Sequence, residues 1–99
     1  MTRDTLYHAA REVDTARESA SEMETSDRLA VLADQLRSQA DRKATPALGT
    51  LDRIHTKLRT IETEANEPAV SEALEQARRH ILSFLETLDD RGMKQHGGG

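Results

Sequence analysis

Two apolar stripes in the C-terminal half of the chain fall into register when the sequence folds back on itself at residues 67–68. No other feature constrains the fold as much. One stripe is Ala47, Leu51, Ile54, Leu58, Ile61 and Ala65; the other is Val70, Leu74, Ala77, Ile81, Phe84 and Leu88. Steps of three and four residues put each set on one side of an α-helix. The reversal sets Ala65 level with Val70, Ile61 with Leu74, Leu58 with Ala77, Ile54 with Ile81 and Leu51 with Phe84. Local period and long-range register agree, as a specified antiparallel pair requires. Residues 46–90 are therefore expected to form the stable kernel.

The punctuation fits. Thr45 suits an N-cap, and Pro46 suits a first helical position, where a missing N–H costs nothing. Pro68 disfavours helical geometry at Glu67 and opens the next helix itself. Gly92 suits a left-handed residue closing that helix. Gly49 reads as a tolerated glycine near a helix end, weakening the helix by up to about 1 kcal/mol.

The N-terminal half is helical with a different phase. Leu6, Ala9, Val13, Ala16, Ala20 and Met23 form one stripe, capped by Thr2 or Asp4. Its alanines permit close helix approach but contribute little burial. Leu29, Leu32, Ala33, Leu36 and Ala40 form a second stripe. At about 100° per residue its centre lies nearly opposite the first. A break is expected at "ETSD", residues 24–27, where Thr25 and Ser26 are good N-caps. The expected fold is all-α: an antiparallel four-helix bundle with helices over about 4–23, 27–42, 46–65 and 68–90. The alternative is one long helix through residues 4–42 in a dimeric bundle.

Composition agrees with a thin molecule. Charged residues are 32% and apolar residues 35% of 99 residues, too apolar-poor for a thick α/β domain. Tyr7 and Phe84 are the only aromatics, so the core rests on Leu, Ile, Val and Ala. Each buried Leu or Ile stabilises by roughly 1.5–3 kcal/mol, against about 1–2 kcal/mol of backbone entropy per ordered residue. That tight balance makes self-association a reasonable expectation. Residues 1–92 are expected as one domain and residues 93–99 as a disordered tail.

Several activities are set aside. The absence of cysteine excludes disulfides, Cys-ligated zinc and thiol nucleophiles. No apolar run nears a membrane span and no signal-like segment opens the chain, so the expectation is cytoplasmic with no membrane association. Net charge is −4 and charges of both signs are interspersed. That argues against a nucleic-acid partner, which needs a basic stripe. Three Lys against eleven Arg, with abundant acid, is a composition met in salt-loving organisms.

His55 and His80 fall level across the hairpin and invite a metal reading. Their heptad positions place the rings on opposite flanks, with His55 beside Arg78 and His80 beside Lys57. Cations repel a metal, so no metal site is expected. The Glu-x-x-His repeat of di-metal bundles does not occur. Ser19, Ser21, Ser26, Ser38, Ser71 and Ser83 lie on helical or loop sequence with no strand-to-helix elbow. No catalytic residue and no cofactor is expected, and the chain is read as a non-enzyme.

The segment 49–92 carries a resemblance. Its Leu51-Asp52-x-Ile54 opening, Ile61-Glu62-x-Glu64-Ala65 ending and Ala73-Leu74-x-x-Ala77-Arg78-x-x-Ile81 centre resemble a group of small haloarchaeal proteins of unknown function. The resemblance implies an all-helical fold with no assigned activity, cofactor or catalytic residue.

The expected function is a helical protein-interaction or structural module, self-associating into a homo-oligomer; a small-ligand or metal-binding bundle is the alternative. The fourth helix has more large apolar side chains than one seam needs. Leu82 stands about 100° off its stripe, and Leu85 and Leu48 lie beside the hairpin seam. Leu82, Leu85 and Leu48 are thus the expected protein interface. The Gly97–Gly99 ending resembles the tail of small protein modifiers in its last two residues only. The alternating strand pattern of their β-grasp fold is missing, so the ending reads as a flexible terminus.

Overall fold

A computed structural model describes the backbone of residues 2–42 and 47–98, and the side chains of residues 4–42 and 47–87. Four α-helices run in chain order: α1 (Thr2–Ser19), α2 (Met23–Asp41), α3 (Leu48–Ala65) and α4 (Pro68–Gly98). They form the expected all-α four-helix bundle. Each helix packs on two others, in the cyclic order α1–α2–α3–α4–α1, and the diagonal pairs do not touch among the described residues. Short connections between neighbours make the arrangement up-down-up-down.

The break between α1 and α2 falls at residues 20–22, earlier than residues 24–27. Packing explains the shift. Thr25 is 8% exposed and lies one turn before Leu29, so it extends the buried face of α2 and must already be helical. Met23, expected on the α1 stripe, instead opens α2 and is 79% exposed. Glu22 occupies the N-cap position in extended conformation without a side-chain cap. The Ser21 hydroxyl donates to Glu67 Oε2 at 3.1 Å. This bond ties the α1–α2 connection to the α3–α4 turn, so both reversals sit at one end of the bundle. A continuous helix through residues 4–42 does not occur.

At the other end, α3 begins at Leu48 with Ala47 at the cap position. The backbone N–H of Ala47 donates to Gln39 Oε1 on α2 at 2.9 Å. The expected cap Thr45 and starter Pro46 lie outside the described residues. Asn66 ends α3 in left-handed conformation, φ 52° and ψ 38°, a role its short polar side chain tolerates. Pro68 then opens α4, as expected. Gly92 does not end α4, which continues to Gly98; one glycine costs a helix only about 1 kcal/mol, and Met, Lys and Gln after it are good helix formers. Leu88 and the expected tail lie beyond the described side chains.

The hairpin register holds: Leu51, Ile54, Leu58 and Ile61 on α3 and Val70, Leu74, Ala77, Ile81 and Phe84 on α4 are all buried. Glu62 and Arg78 lock it from outside the seam. Arg78 reaches both carboxylate oxygens of Glu62, at 2.7 and 2.9 Å, with its Nε at 3.1 Å. The Ser71 hydroxyl adds a bond to the Glu62 carbonyl at 3.3 Å. The most extensive packing, however, belongs to α1, against α4 and α2. Ala9, Ala10 and Ala16 on α1 are essentially inaccessible. Small residues let the backbones approach. Asp14–Arg37 and Tyr7–Asp41 contacts join α1 to α2 at its edge. The α2–α3 seam is the least packed of the four.

Candidate functional site

The loose α2–α3 seam opens to solvent as a groove. Two adjoining hollows, of about 350 and 320 Å³, share Val31 and Lys57. Leu32, Ile54 and Ile61 form the floor and are core residues, each at most 3% exposed. Val31 stands above them 55% exposed, a β-branched apolar side chain facing water. The rim is polar and mostly basic. Arg28, Arg53 and Lys57 line it, with Asp34 the acidic member. Arg28 is engaged by Glu64 at 3.0 Å and Asp34 by Arg37 at 3.5 Å. Arg53 and Lys57 have no carboxylate partner among the described residues. Helical spacing puts Arg53 and Lys57 one turn apart on one flank of α3. On a chain of net charge −4, this is a local concentration of uncompensated positive charge.

The residues singled out from sequence lie elsewhere. Arg78 reaches α3, so the α3-facing flank of α4 runs through Ser71, Arg78 and Leu85, with Leu82 one turn past Arg78 on its outer side. Leu85 is half-buried against the core, whereas Leu82 is 43% and Leu48 47% exposed. Packing within the bundle thus covers Leu85 in part and leaves Leu48 and Leu82 half-open. Sequence reasoning missed the groove because the surplus of large apolar residues lies on the fourth helix. The available signal was Val31, a large apolar residue outside the Leu29–Leu32–Leu36 stripe.

The histidines separate as expected; His55 has the expected neighbour and His80 a different one. His55 sits beside Arg78. Its Nε2 is buried without a hydrogen-bond partner. Burial first, and then the Arg78 guanidinium, hold its pKa below the usual 6.5, against the opposing pull of Asp52. A neutral ring is the form that ligates a metal, but the Arg78 cation beside it repels one. His80 does not meet Lys57, which lines the groove on the far side of α3. It faces α1 instead, where its ring lies 5.7 Å from that of His8. No group of three or more His, Asp or Glu residues converges among the described residues. None of the described helices is long and apolar enough to cross a membrane.

Together these features define a small up-down four-helix bundle with one open, basic-rimmed seam and no converging ligand cluster among the described residues. The profile of a family of unknown function, DUF7553, matches residues 1–87, and the chain belongs to that family. The match includes α1 and α2, beyond the 49–92 segment that carried the resemblance. No curated protein and no solved structure matches the chain.

Proposed function

We propose that this chain is a non-catalytic protein-binding module whose α2–α3 groove receives an acidic amphipathic helix. The observation that supports this reading is the open seam itself. A helix laid between α2 and α3 covers Val31 with an apolar residue and brings carboxylates to Arg53 and Lys57, a helix-in-groove mode. Covering an exposed apolar side chain supplies affinity, and the unpaired cations supply orientation and partner choice. The test uses two synthetic helices with the same Leu stripe, one with a glutamate-rich and one with a lysine-rich polar face. Methyl resonances of Val31, Ile54 and Ile61 are expected to shift with the acidic helix, less at high salt, and not with the basic one. Equal response to both, or none, rejects the groove.

Self-association is a second reading, favoured by the half-exposed Leu48 and Leu82. Two leucines fall well short of the roughly 800 Å² that each partner of a stable interface buries. A dimer on this side must therefore also use the polar faces of α3 and α4. Sedimentation of the parent and of Leu82→Glu over a wide concentration range checks it. A dimer lost in the variant supports it, and a monomeric parent at all concentrations ends it.

A further inference from the structure

His8 and His80 are accounted for neither by the core nor by an ion-pair network, nor does the groove use them. They project from α1 and α4 at the same level of the seam joining the first helix to the last. Their ring centroids are 5.7 Å apart and their planes inclined by 31°. His8 is exposed and His80 half-buried, so both rings reach water. Neither has a hydrogen-bond or ion-pair partner among the described residues.

We propose that His8 and His80 together bind one divalent transition-metal ion. An imidazole nitrogen sits about 2.0–2.1 Å from zinc. With the ring centre roughly 1 Å further out, two rings sharing one ion have centroids about 5 Å apart at a tetrahedral angle and about 6 Å apart when opposed. The observed 5.7 Å lies within that span. Rotation about the side-chain bonds would aim one nitrogen of each ring at a shared ion, the two rings already lying close together across the seam. Two imidazoles select borderline ions such as Cu2+, Ni2+ or Zn2+ over the oxygen-seeking Mg2+ and Ca2+. Among the described residues no third ligand-type side chain joins the pair, so water would complete the coordination. Glu12, one turn beyond His8 and half-buried, adds negative charge near that flank of α1. His55 offers the contrast: its ring is flanked by the Arg78 cation.

The ion would bridge the first and last helices of the bundle and so favour the folded chain by mass action. The experiment titrates the full-length chain with zinc chloride, and in parallel with magnesium chloride, while the ring protons of all four histidines are followed by NMR. Zinc is expected to move the His8 and His80 signals together along one 1:1 curve and to leave His55 still; magnesium is expected to move neither. His8→Gln and His80→Gln are each expected to weaken zinc binding at least tenfold and to remove the zinc-dependent rise in Tm. Movement of only one of the two rings, response confined to His96, or variants that bind zinc as the parent does would overturn the site. The titration of the unaltered chain decides the matter even if a variant folds poorly.

Discussion

At the scale of single residues, the contact most exposed to a decisive measurement is His55 beside Arg78. A base held below its usual pKa binds fewer protons in the folded than in the unfolded chain. The stability this contributes is complete above about 6.5, the usual value, and is lost as pH falls below it toward the depressed folded pKa. His55→Gln removes the proton-binding site and is expected to flatten the dependence of urea-unfolding stability on pH just below 6.5; an unchanged slope would refute the coupling. Glu62 opposes the effect of Arg78 on the ring, and Asp52 does the same from one turn away on α3. Much of this was legible beforehand. Heptad phase alone placed His55 next to Arg78, because e-type positions in an antiparallel pair face each other. The encounter of His80 with His8 was not legible, because it depends on which helix packs against the far side of α4.

At the scale of elements, the informative feature is the α3–α4 turn. Asn66 is the one non-glycine residue with positive φ among those described, followed by Glu67 and then Pro68 opening α4. Asn66→Ala is expected to cost about 1 kcal/mol, because a Cβ with no compensating polar group disfavours the left-handed region by that order. Asn66→Gly is expected to cost nothing or to stabilise slightly; the two variants' urea midpoints check this. Pro68 made the turn legible, whereas the α1–α2 break had no glycine or proline to mark it. Thr25 and Ser26 were plausible caps in isolation. What moved the break was the burial of Thr25 on the face of α2, together with the bond from Ser21 to Glu67 across the bundle end. Both are contacts between distant segments.

At the scale of the whole molecule, the four seams are unequal, and the inequality has consequences for both dynamics and binding. The alanine face of α1 draws it close to α4 and α2, while α2 and α3 meet less closely and leave the groove. Regions with fewer buried contacts open at lower free energy. Native-state hydrogen exchange is therefore expected to be slowest for amides of α1 and α4 along their shared seam, and at least tenfold faster for the groove-lining turns of α2. Slowest exchange confined to α3 and α4, with α1 fast, would instead restrict the kernel to the hairpin. Occupation of the groove by an acidic helix should slow the α2 amides selectively.

The chain's own pattern determined that it is all-helical, where most helices lie, which faces are apolar and how α3 registers on α4. Those properties follow from period, from turn-forming residues and from stripes adjacent in sequence. Tertiary structure alone decided which seam closes tightly and which stays open, that Val31, Arg53 and Lys57 share one groove, and that His8 meets His80. Each of these depends on the order in which four amphipathic cylinders surround a common core. A stripe shows that a face is buried, but not which neighbour buries it or how closely that neighbour approaches.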